Sequence, residues 1–191
     1  MPASSAPSMY AQVLGPAFTN LAPALKLLHS SQQRRFTGVL TVRTGAHPLS
    51  RLTLWLARLP NAHVDALCHL CLLPCERGEL WQRSIGPWKF ITRQRLAGSS
   101  DAHAGRKEIR ERFGAVTLRL SLRTKGETLS IRSVGTRILG IPLPRSLAIR
   151  VVAYETPVDQ GSFACNVRVY LPGSVALLEY RGTLSRSDSC G

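Results

Sequence analysis

Residues 116–123 read VTLRLSLR, and their alternation decides the fold. A strand turns successive side chains to opposite faces. Val116, Leu118, Leu120 and Leu122 therefore share one face, and Thr117, Arg119, Ser121 and Arg123 share the other. A slip of one residue would bury both arginines, so the pattern itself pins the register. The same two-residue period continues on either side. It predicts strands at 64–73, 79–85, 88–96, 106–113, 115–123, 128–133, 147–155, 162–171 and 175–185. Gly78, Gly86–Pro87, Gly98, Gly114, Gly126, Gly161 and Pro172–Gly173 punctuate them. The stretch 134–147 (VGTRILGIPLPRSL) is the longest irregular connection, stiffened by Pro142 and Pro144.

Upstream the signal is mixed. RFTGVLTVRT, residues 35–44, is a further strand closed by Gly45. Apolar residues at Leu14, Phe18, Leu21, Leu25 and Leu28 have helical spacing, interrupted by Pro16 and Pro23. They predict two short helices ending near His29, with Asn20 as an N-cap and Pro23 in the first turn. PLSRLTLWLARL, residues 48–59, places Leu49, Leu52, Trp55, Leu56 and Leu59 on one side of a helix opened by Pro48 and stopped by Pro60. This helix is expected to pack on the sheet, with a membrane surface as the alternative.

Short connections without crossover helices demand an antiparallel meander. So many strands exceed what a flat sheet tolerates. The expected fold class is α+β, mostly β: a meander curled into a barrel or half-barrel of about 8–10 strands. Short N-terminal helices would cover an edge or plug a mouth, and one helix follows the first strand. A single domain is expected over residues 9–186, with a disordered tail at 1–8 and a second tail at 187–191.

With 191 residues and 44% hydrophobic content, the chain has the size of one ordinary domain and needs no staples to hold a core. No apolar run approaches the ~20 residues of a membrane-spanning helix. The net charge is +14, and of 25 basic residues only Lys26, Lys89, Lys107 and Lys125 are lysines. The arginines are scattered along the sequence, with no basic run longer than a pair. They read first as a solvent face and second as a surface for nucleic acid or anionic lipid. The five cysteines and a start without a basic-then-apolar leader predict a cytoplasmic protein with free thiols. Cys68, Cys71 and Cys75 form C-x2-C-x3-C, but no second pair stands at zinc-site spacing. They read as residues of a buried strand rather than as metal ligands.

Several patterns occur in order: LAPALKLLH (21–29), FTGVLTVRTG (36–45), PLSRLTLWLARLP (48–60), ELWQRSIG (79–86), ERFG (111–114), LGIPLP (139–144) and EYRG (179–182). Together they resemble a bacterial domain family of unknown function. That family is found alone or fused C-terminal to a saccharopine-dehydrogenase-like domain. The resemblance covers roughly residues 9–186 and implies an oxidoreductase partner as one alternative; it implies no activity. The chain departs from the family pattern at Cys68–Cys75, where cysteines and Pro74 replace a Val/Thr-rich strand.

Catalytic signatures are lacking. There is no G-x-S-x-G elbow and no phosphate-binding glycine loop, and no histidine stands in a catalytic context. No catalytic residue and no cofactor are nominated. What remains is a set of aromatic and charged residues on neighbouring strands: Trp81, Arg83, Phe90, Glu111, Arg112, Phe113, Tyr180 and Arg181. A curled sheet encloses an apolar lumen, and lumen sites are lined by aromatics with a few orienting polar groups. An inward arginine would pair with a carboxylate or phosphate head group. The expected function is non-catalytic binding of an apolar or amphipathic small molecule. Plain core packing is the simpler reading of each residue singly.

Overall fold

The computed structural model describes residues 7–56, 59, 63–76, 78–98 and 107–187. The tails at 1–6 and 188–191, the loop around His103 and the expected start of a strand at Arg106 lie outside the described residues.

Three short helices precede or interrupt eleven strands. α1 (Met9–Leu14), a 3-10 turn (Gly15–Asn20) and α2 (Pro23–Leu28) come first. β1 (Arg34–Thr44) and α3 (Pro48–Leu56) follow. The meander then runs β2 (Val64–Cys75), β3 (Gly78–Ile85), β4 (Trp88–Leu96), β5 (Ile109–Phe113), β6 (Val116–Lys125) and β7 (Thr128–Ile138). β8 (Ile141–Pro142), β9 (Arg150–Pro157), β10 (Ser162–Leu171) and β11 (Val175–Arg186) complete it. Every pairing is antiparallel. The order is β6-β5-β4-β3-β2-β1-β11-β10-β9-β7-β8, and β6 also pairs with β7. That pairing closes a ten-stranded barrel, with β8 as a two-residue appendage on β7.

Three local expectations are corrected. Asn20 ends the 3-10 turn, and the N-cap of α2 is Ala22, which makes no side-chain cap; Pro23 supplies the preset φ at the first helical position. Half of the irregular stretch 134–147 belongs to β7 and β8, because a bulge at Arg119/Leu120 absorbs a register shift and lets β7 run on to Ile138. α3 does not bury its leucine stripe. Ser50 and Leu54 are its buried residues, while Leu49, Leu52, Trp55 and Leu56 are exposed.

Two glycines permit the close pairing of β1 with β11. Gly38 and Gly182 occupy inner-face positions, and a Cβ on either would collide with a backbone carbonyl across the pair, Thr183 for Gly38 and Val39 for Gly182. Both fall in the motifs FTGVLTVRTG and EYRG, and a glycine inside a strand marks such an approach.

The two ends of the barrel differ. At the end where β1 begins, α1 and α2 enter the ring. Tyr10, Leu21, Leu25, Leu28 and His29 are fully or almost fully buried there, with Phe36 against Phe163 below them at 5.2 Å between ring centres. Each such leucine contributes roughly 1.5–3 kcal/mol of burial. Arg34 fastens this plug to the wall. Its guanidinium donates to the carbonyls of Leu28 (2.8 Å) and Gln32 and lies 3.0 Å from Glu79, with both charged side chains buried. It thereby satisfies a backbone oxygen at the end of α2 and one beyond it, and pairs with a carboxylate at once. Trp81 Nε1 donates to the other oxygen of Glu79 at 3.2 Å. Removing one member of a buried pair strands the other charge. Arg34→Ala or Glu79→Ala is therefore expected to lower stability by about 3–5 kcal/mol, measured from urea unfolding midpoints. A loss below about 1 kcal/mol would place the pair with ordinary surface pairs and contradict the fastening role.

Candidate functional site

The inner face splits into two zones. Near the plug the inward side chains are buried: Leu72, Trp81, Gln94, Ile109, Leu129 and Phe163 expose 4% or less. Toward the α3 end the same strands present half-buried side chains inward: Phe90, Phe113, Leu118, Val167, Val169 and Tyr180. Strand parity fixes their direction. Phe90 is two residues from buried Thr92, Phe113 four from buried Ile109, and Tyr180 two from buried Leu178. The inward side chains are thus tightly covered at the plug end and only half-buried toward the α3 end.

Arg83 stands where the zones meet. It shares its face with Trp81, and its guanidinium lies 4.8 Å from the Trp81 ring centre and 5.8 Å from that of Phe90. Nη1 donates to Thr92 Oγ1 at 3.0 Å and lies 3.7 Å from Glu111 Oε1. Its side chain is 13% exposed and that of Glu111 17%. A guanidinium has five N–H donors. Among the described residues Thr92 accepts its one hydrogen bond, so it retains capacity for an anion. Burial works against the Arg83 charge, but Tyr180 and Glu111 outweigh it and hold the group above its usual value. Arg83 is a permanent cation in an aromatic-lined interior.

Deeper in, a second polar group joins the plug to the wall. His29 Nε2 and Glu155 Oε2 are 2.6 Å apart, and Tyr10 stacks on His29 at 3.7 Å between ring centres. Tyr10 donates its hydroxyl proton to Gln94 Oε1 at 3.0 Å. Nothing in the sequence points to these residues as a group, because His29 and Glu155 are 126 positions apart.

Of the sequence-derived candidates, Trp81, Arg83, Phe90, Glu111, Phe113 and Tyr180 come together inside the barrel. Phe90 and Phe113 meet edge to face at 6.2 Å. Arg112 and Arg181 do not join them: each follows an inward residue and so lies on the outer wall. Arg112 donates to the carbonyl of Gly114 at 3.0 Å, and Arg181 borders a shallow outer groove with Thr41, Tyr154 and Thr183. The cysteines are likewise divided by parity. Cys68 is buried on the inner face, whereas Cys71 and Cys75 are half-buried on the opposite one, so the three share no centre. Among the described residues no group of three His, Cys, Asp or Glu side chains could hold a metal.

The outer wall carries a feature that the linear sequence hides. Register sets Arg93 opposite Arg112, and Arg95 opposite Arg110, which in turn faces Arg119. Burial and the charges of Arg137, Arg119 and Arg95 depress the pKa of Arg110. Glu108 offsets part of this charge by holding Arg119 at 2.9 Å.

The interior also predicts an alkaline weakness. Burial pushes Cys68 up to about 11 and Cys165 up to about 12, and raises the Tyr10 and Tyr180 hydroxyls above the usual phenol range. In the unfolded chain a thiol ionises near ~8.5 and a phenol near ~10. The unfolded state therefore sheds these protons first, so this stability is complete below the unfolded values and fades as pH rises through the folded ones. Urea midpoints are expected to fall between about pH 9 and 11. A midpoint that is flat or rising there would contradict the buried neutral interior.

Comparison with curated proteins and with solved structures returns no match. The family described as a domain of unknown function (DUF4166) matches residues 21–184, a span that begins in the plug and ends on β11, the neighbour of β1. The chain belongs to this family.

Proposed function

We propose that the interior toward the α3 end is a cup that binds an amphipathic small molecule, with the anionic head against Arg83 and the apolar part against Phe90, Phe113, Leu118, Val167 and Tyr180. The observation that carries this reading is Arg83 itself: a cation with spare donors, set among half-buried aromatic side chains. A carboxylate or phosphate fits a guanidinium in bidentate fashion, and the walls exclude water from the pair. Glu111, at 3.7 Å, is the counter-ion that such a head group displaces or shares. This reading involves no step of bond making.

A second reading, favoured by the opposed arginines of β4, β5 and β6, is polyanion binding on the outer wall. Like charges directly across a sheet are destabilising, and a phosphate backbone would offset them. Affinity in that mode would fall steeply with salt.

The two carboxylate-facing residues give the test opposite signs. Titration with a dansylated fatty acid is expected to show saturable binding. Arg83→Gln should weaken it about tenfold or more, the loss of one charge-assisted hydrogen bond. Glu111→Gln should tighten it by removing the competing carboxylate. Absence of saturable binding, or equal affinities in all three proteins, would refute the cup as a binding site.

A further inference from the structure

We infer that the open end of the barrel docks on an anionic lipid bilayer. This inference goes beyond what the cup holds and stands on the rim alone.

The rim gathers exposed apolar side chains from separate segments. α3 leans on β11, with Ser50 Oγ donating to the carbonyl of Ala176 at 2.7 Å and Gly45 N–H donating to that of Leu177 at 3.0 Å. With Ser50 and Leu54 turned inward, α3 leaves Trp55 70% and Leu56 67% exposed. On the β7–β8 turn at the same end, Leu139 is 79% and Ile141 67% exposed. Leu139 adopts a φ of 52°, a left-handed backbone that a leucine rarely takes. The chain thus accepts local strain while holding this side chain in water. The 3-10 turn Arg145–Leu147 touches the β10–β11 turn, and its Leu147 is also exposed.

Single exposed leucines are ordinary, but several clustered at one end mark a contact surface. Charge names the partner. Arg51 lies on α3, Lys89 is the second residue of β4 and Arg145 sits in the 3-10 turn, all exposed at this end. Of the acids there, Glu179 is held by Arg168 at 3.0 Å and Asp65 is exposed. Apolar side chains projecting from several loops, with a tryptophan among them and cations at their flanks, suit a bilayer interface: the apolar tips enter the head-group boundary and the cations meet anionic lipid. Net charge of the whole chain, +14, favours the same approach.

Sedimentation with vesicles tests this on the full chain. Wild type should pellet with phosphatidylcholine–phosphatidylglycerol vesicles and stay in solution with phosphatidylcholine alone. Trp55→Ser combined with Leu56→Ser, and separately Leu139→Ser, should each weaken binding about tenfold, as expected for lost apolar insertion. All these side chains are solvent-facing, and circular dichroism checks that the variants fold. Retained binding of the dansylated fatty acid by the same variants would show that the cup persists, so the two readings fail separately. The inference is overturned if mixed vesicles do not pellet the protein or if binding survives both sets of changes. It is also overturned if a single-stranded RNA oligonucleotide is bound while vesicles are not, which would assign the basic surface to nucleic acid.

Discussion

Closure of the ring by the β6–β7 pairing is the constraint on which the rest depends. A closed barrel has no edge strand, so every second side chain on every strand must face a common interior. About eight strands enclose a space that their own side chains just fill. Ten enclose more, and the excess must be occupied, wet or collapsed. This chain occupies part of it with its own N-terminal segment. α1 and α2 bring Tyr10, Leu25, Leu28 and His29 into one end. Beyond the reach of the plug the inward side chains are half-buried, and this is where the proposed cup lies.

The polar groups inside make sense in those terms. A buried charge without a partner is costly, and among the described residues near the plug Glu79 faces Arg34 and Glu155 faces His29. Such pairs also fix which residues of a helical plug face which strands, a register that leucines alone would set only loosely. Arg83 is the group whose pairing is slackest, at 3.7 Å from Glu111 against 3.0 Å for Arg34 and Glu79. It is also the group nearest the half-open zone. Loose pairing and partial access occur together at this one side chain.

Much of the barrel was legible in the sequence because period two survives wherever one face is buried. VTLRLSLR forms a strand whose leucines do face inward, and the inward set Trp81, Arg83, Phe90, Glu111, Phe113 and Tyr180 follows from i, i+2 counting along each strand. Arg112 and Arg181, expected among the same binding residues, fall outside for the same reason. What was hidden depends on contacts between distant segments. No local signal pairs His29 with Glu155, or shows that Arg93, Arg95, Arg110 and Arg112 become neighbours across strands. The stripe on α3 misled in the opposite direction. Helical periodicity reports that one face is apolar but not what covers it, and here Ser50 and Leu54 make the contact while the broader stripe stays in water.

The division of the interior into a filled half and a half-open cup is the central claim, and side-chain footprinting by hydroxyl radicals reads it directly. In the ligand-free protein the account predicts oxidation of Phe90, Phe113 and Tyr180 well above that of Tyr10, Phe36 and Phe163, with protection of the first three when an amphipathic ligand is added. Equal protection of all six without ligand would mean that the barrel is packed from end to end and has no cup.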